Sequence, residues 1–135
     1  MAKLPVVLLW ISAVVFALIG LYFLAAPERA AASIGIAMKN ATAQTDVRAT
    51  YGGMVLGIAA FFSWAALSPA RLEAGVWSMV LIYGGLALGR IVAIADGQRP
   101  GAMMWTFLAI ELGFAITSAM LLRHLADSGP QEELP

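Results

Sequence analysis

Three ionisable side chains sit where the chain is otherwise apolar. Arg48, Arg90 and Glu111 each fall inside a hydrophobic stretch. An arginine fork beside a carboxylate makes a salt bridge, and an arginine fork alone grips the carboxylate, phosphate or carbonyl end of a ligand. A lone carboxylate at such a position must be paired or protonated, because an isolated charge in an apolar medium is costly. Two tyrosines accompany the arginines. Tyr51 follows Arg48 by three residues and Tyr83 precedes Arg90 by seven, both same-face spacings on an α-helix. Asp46 lies just before Arg48, and Asp96 and Gln98 lie beyond Arg90. The candidate polar cluster is therefore Arg48, Tyr51, Tyr83, Arg90, Asp96 and Glu111. It suits two roles: a buried pair that fixes helix register, or a polar site at the base of a ligand pocket.

Other chemistries are poorly provided for. The chain has no cysteine, which excludes disulfides, thiolate catalysis and cysteine-ligated metal. Its one histidine, His124, stands beside Arg123 near the end of the last apolar stretch, where a cation suits the helix dipole. No histidine–carboxylate cluster offers a metal site, and no cofactor motif, phosphate loop or nucleophile elbow is present. Eight basic and eight acidic residues give a net charge of zero, against the basic face a nucleic-acid partner needs. The seven methionines are scattered and make no binding stripe.

The elements that must position these residues are membrane-type helices. Of 135 residues, 61% are hydrophobic and 12% charged, and the mean hydropathy is +0.86. Soluble domains carry roughly twice that charge. Four spans can be drawn, at about 4–26, 46–67, 74–96 and 101–122, each near the ~20 residues that cross a bilayer. Pro5 suits a helix start, and Pro27, Pro69 and Pro100 punctuate the connections. The first span also reads as a secretory signal, but Ala25-Ala26-Pro27-Glu28 is a poor cleavage site. The first connection is long. Its segment 28–39 is either a short interfacial helix, weakened by Gly35, or a loop with one helical turn. Thr45 is placed to cap the second span. The other two links are short and imply antiparallel neighbours. The expected fold is all-α: one integral membrane four-helix antiparallel bundle over 1–126, with a polar disordered tail at 127–135.

Packing and topology follow from glycine and tryptophan. Tyr51-Gly52-Gly53-Met54-Val55-Leu56-Gly57 recurs 32 residues later as Tyr83-Gly84-Gly85-Leu86-Ala87-Leu88-Gly89. Gly53 and Gly57, like Gly85 and Gly89, are spaced for close helix contact, here expected between the second and third spans. Trp10, Trp64, Trp77 and Trp105 fall toward span ends, as interfacial belts require. Depth places Arg48, Arg90 and Glu111 in the half of the membrane nearer the long connection, the far face. Surface basic residues are balanced: Lys3, Arg71 and Arg123 on one face, Arg29, Lys39 and Arg99 on the other. The reading adopted is a bacterial inner membrane with both termini cytoplasmic.

Asp46-Val47-Arg48-Ala49-Thr50-Tyr51-Gly52-Gly53, then Gly84-Gly85-Leu86-Ala87-Leu88-Gly89-Arg90, then Asp96-Gly97 and Glu111, resemble the bacterial four-span proteins grouped as domain of unknown function 4345. The resemblance covers nearly the whole chain, to Arg123. It implies a single four-helix membrane bundle, marks Asp46, Arg48, Tyr51, Gly85, Gly89, Arg90, Asp96 and Glu111 as motif positions, and brings no established activity. Three functional classes fit the residues. The first is a protein binding a small amphipathic or lipid-like ligand through Arg48, Arg90 and Tyr51. The second is an accessory subunit packed against a larger membrane complex, or a homo-oligomer. The third is a small membrane enzyme using Glu111 as acid or base, which no nucleophile or cofactor motif supports. Membrane lipid is the one partner common to all three.

Overall fold

The computed structural model describes residues 3–127. The described residues are helical, without a strand, and four of the helices are long and apolar enough to cross a membrane: Lys3–Ala25, Ala41–Ala66, Pro69–Ala95 and Ala102–Leu125. They divide after Pro69 into two compact units. The tail beyond Asp127 lies outside the described residues.

In the first unit, helix α1 (Lys3–Ala25) runs antiparallel to the second span. Rising numbers on one meet falling numbers on the other. Phe16 meets Phe62 edge-on at 5.6 Å, and Phe23 stacks on Tyr51 at 5.0 Å. The buried positions of α1, among them Leu9, Ser12, Phe16, Gly20 and Phe23, recur every three or four residues, one stripe of a helix. The backbones approach closely where Gly20 faces Gly52. A Cβ on Gly20 would lie 2.7 Å from Leu56 Cγ and 3.0 Å from the Gly52 carbonyl, and one on Gly52 would lie 2.6 Å from Leu24 Cδ2. This glycine contact joins the first and second spans within the first unit. A Cβ on Gly57, Gly85 or Gly89 would meet nothing within 4 Å, and one on Gly53 only the Arg48 carbonyl at 4.0 Å.

The long first connection contains a short helix, α2 (Pro27–Ser33). Gly35 does not weaken it but ends it: at φ +80 its N–H reaches the Ala32 carbonyl, and the next N–H, of Ile36, returns to Ala31. That is a Schellman stop, which needs the left-handed residue glycine supplies. Ala30 and Ala31 then pack with Phe23 and Val47, with Ile34, Ile36 and Met38 around them.

The second span starts earlier than its apolar pattern suggested. Asn40 caps it, its Oδ1 accepting from the Ala43 N–H at 2.9 Å. Thr45 is not the cap. It lies one turn inside α3 (Ala41–Val47) and donates its hydroxyl to the Ala41 carbonyl. The span then changes winding. Residues Arg48–Met54 form a π-helix before α4 (Val55–Ala66) resumes. Buried positions record the change: Val47, Gly52, Ala59 and Ala66 all turn inward. The last two intervals are seven residues, two α-turns, whereas the first is five, one turn closed by i→i+5 bonding. An unbroken α-helix would have brought Tyr51 inward where Gly52 must fit.

A 3-10 turn (Pro69–Arg71) at the boundary opens the second unit and leads into α5 (Leu72–Ala95), and a short link leads back into α6 (Ala102–Asp127). Gly97, at φ +87, stops α5 with the same Schellman pair of bonds, from its own N–H to Ile94 and from Gln98 to Ala93. The two helices form an antiparallel hairpin in which Tyr83 stacks on Phe114 at 4.8 Å and Arg90 meets Glu111.

Candidate functional site

Arg90 and Glu111 form a two-pronged salt bridge. Arg90 Nε donates to Glu111 Oε2 at 2.8 Å and Nη2 donates to Oε1 at 2.7 Å. Helix direction explains how residues of unequal depth meet. Helical side chains lean toward their own N-terminus. In α5 that bends Arg90 away from the Asp96 end, and in α6 it bends Glu111 toward the Ala102 end, so the two lean toward each other. Met104, Phe107 and Glu111 line one stripe of α6. Met104 Sδ accepts from Arg90 Nη1 at 2.9 Å, and the Phe107 ring lies 5.3 Å below the guanidinium carbon, a cation–π contact. The carboxylate is buried, with 8% of the Glu111 side chain exposed against 27% for Arg90. Within this unit the charge is neutralised on the spot, and three of the guanidinium's nitrogens are engaged.

Tyr83 is buried against Phe114 two turns from Arg90. Asp96 is exposed at the cap of α5 and does not join the ion pair; Arg90 chooses Glu111. Ser118, seven residues beyond Glu111 on the same stripe, is fully buried with no hydrogen-bond partner for its hydroxyl among the described residues. Sequence reasoning passed over this serine, since one hydroxyl in an apolar helix carries no motif.

Arg48 and Tyr51 belong to the first unit, and their surroundings differ. Arg48 stands seven residues inside the second span, about 10 Å along it. It is exposed, and its side chain makes no hydrogen bond or ion pair within its own unit. The same holds for Asp46 and Thr50. Tyr51 uses its ring against Phe23 and leaves its hydroxyl without a partner. The π winding produces this display: Arg48, Ala49, Thr50 and Tyr51 are exposed in succession, with Gly52 the one residue turned inward. The shared face expected of Arg48 and Tyr51 rests on α spacing, which this turn does not keep. A seven-residue π-helix has no simple sequence signature. The hint available was the glycine pair after Tyr51, which marks a close backbone approach. No group of three or more metal-ligating side chains occurs among the described residues.

The chain belongs to the family described as Domain of unknown function (DUF4345), whose model matches residues 6–122. No curated protein and no solved structure shows significant similarity to it. The match takes in the π turn, the Arg90–Glu111 pair and all or nearly all of each long helix.

Proposed function

We propose that this integral membrane protein binds a small amphipathic, lipid-like molecule, holding its polar end at the outward arc of the π turn. The observation that carries the reading is the contrast between the two arginines. Arg90 is matched within its own hairpin by Glu111. Arg48, at membrane depth, has no acceptor within its own unit, and the Thr50 and Tyr51 hydroxyls beside it are equally unengaged there. Charged groups at such depth are costly unless paired, and mark functional sites more often than not. An arginine favours a phosphate, carboxylate or carbonyl end. In this reading Arg90, Glu111 and Tyr83 build the scaffold rather than the ligand contact.

The test is native mass analysis of gently extracted protein. The wild type should carry one amphiphile, Arg48→Gln should lose it, and both should give the same helical circular-dichroism spectrum. A wild type that retains nothing, but crosslinks from position 48 to one membrane protein in native membranes, would overturn the reading. Arg48 would then be answered by a partner's carboxylate, and the accessory-subunit class would take its place.

A further inference from the structure

We infer that the ligand at the π turn is a zwitterionic phospholipid whose headgroup carries a primary ammonium. The inference rests on the binding function proposed above and adds the ligand's chemical class. Its basis is the order of charge along the second span. Running inward from Asn40, the exposed polar side chains without an internal partner are Thr42 in the first turn, then Asp46, then Arg48, then Thr50 and Tyr51, so the charged ones are Asp46 and below it Arg48. Asp46 and Arg48 are two residues apart, about 3 Å of rise. The span of 26 residues is about 39 Å long at 1.5 Å per residue. It therefore exceeds the ~30 Å hydrocarbon layer, and its first turns lie at headgroup level. The side chains lean toward the span's N-terminus, which lifts the Arg48 guanidinium toward the lipid phosphates.

The span thus presents a negative charge outermost, a positive charge below it and hydroxyl donors deepest. A phosphoethanolamine lipid presents the complementary order: ammonium outermost, phosphate below it, ester carbonyls deepest. Arg48 gives the phosphate a charge-assisted, forked contact. Thr50 and Tyr51 offer O–H donors at the level of the esters. Asp46 sets the preference. It repels a headgroup whose only charge is negative, and it accepts N–H bonds that a quaternary ammonium cannot give. Asp46 and Arg48 flank the buried Val47, so the headgroup lies across the exposed back of the helix, and the selectivity is that of a dipole more than of a closed pocket. Arg29 and Lys39 are also exposed on this connection, but they lie outside the span, where water and salt screen them.

The full-length protein, extracted into an equimolar mixture of phosphatidylethanolamine, phosphatidylglycerol and phosphatidylcholine, provides the test by native mass spectrometry. The wild type should retain one phospholipid, with ethanolamine favoured over glycerol headgroups by about fivefold, the effect of one charge near the membrane surface. Asp46→Asn should keep the lipid and lose that preference. Arg48→Gln should lose the lipid and Arg48→Lys should recover part of it. Should Arg48→Gln fail to fold, Asp46→Asn, at an exposed position, decides alone. Equal lipid preference in wild type and Asp46→Asn would overturn the inference, as would equal retention of phosphatidylcholine. Displacement of the lipid by excess soluble phosphoethanolamine would overturn the lipid source in favour of a free metabolite. A retained amphiphile without phosphorus would end this inference and leave the binding function standing; an empty wild type would end both.

Discussion

Breaking the Arg90–Glu111 pair should destabilise the α5–α6 hairpin far more than removing it entirely. Glu111→Leu leaves a guanidinium at membrane depth with one sulfur and one ring for company. A cation at mid-helix costs about 2.5–3.5 kcal/mol on insertion scales. The Arg90 side chain keeps 27% exposure, so the lower end, about 2.5 kcal/mol, is the figure to use. Arg90→Leu strands a carboxylate that is 8% exposed, with a cost of at least that size. The double variant, with leucine at both positions, buries no charge, and replacing a buried pair by apolar residues is often neutral. Its loss should stay below about 1 kcal/mol, so the two single losses together exceed the double one by a coupling energy of at least ~4 kcal/mol. This exceeds the ~0.6 kcal/mol that interhelical hydrogen bonds average in membranes, so the cycle separates a true ion pair from an ordinary polar contact. The assay is denaturant unfolding of all four proteins in mixed micelles, followed by tryptophan fluorescence, since Trp77 and Trp105 lie on the two helices concerned. A coupling energy at or below ~0.6 kcal/mol would refute the reasoning: water or lipid would then be serving both charges, and the pair would not pin the hairpin.

Two further predictions concern the packing of the first and second spans. Gly20→Ala should cost about 1–3 kcal/mol by overpacking, because its new methyl would press on Leu56 and the Gly52 carbonyl, whereas Gly57→Ala, with open space around it, should be neutral or stabilising in thermal unfolding. Deleting Ala49 should leave the fold intact, since Val47 and Gly52 would then be four apart and the span could continue as an α-helix, while deleting Ala60 from α4 would turn everything after it by about 100° off the α1 stripe; retained helicity in both deletions, or loss in both, would contradict the insertion reading of the π turn.

Legibility from sequence followed the range of the forces involved. The four long helices were readable because lipid-facing apolarity acts on every residue of a span, and the Arg90–Glu111 contact was readable because an uncompensated carboxylate in such a span has few choices. Asp96 belongs to the same candidate cluster but stays outside the ion pair, because Arg90 leans the other way. The start of the second span was misjudged. Residues 40–45 are polar and read as loop from composition, but Asn40 supplies the capping oxygen and Thr45 returns its hydroxyl to the helix backbone. Gly35 was read through its helix propensity when its role was the positive φ that ends α2. The π turn was out of reach for a plainer reason. Choosing i→i+5 over i→i+4 depends on which residue can tolerate the surface of α1, and that is a tertiary fact.

That last point ties the winding of the second span to the difference between its arginine and the other. Both Tyr-Gly-Gly segments adjoin an arginine, and on sequence alone the two copies are equivalent. In α5 the helix stays regular, Tyr83 turns inward onto Phe114, and Arg90 finds a carboxylate one helix away. In the second span one additional residue fits into the turn. Gly52 takes the inward place, Tyr51 moves to the flank against Phe23, and Arg48 is left on the outside. A glycine there is what permits the close approach to Leu24, so the tight packing and the exposed cation have one cause. The same motif thus builds an internally neutral hairpin in one place and an unsatisfied, outward-facing polar turn in the other. The second is where the proposed ligand would be held, because a lipid phosphate is the abundant acceptor for a cation at that depth.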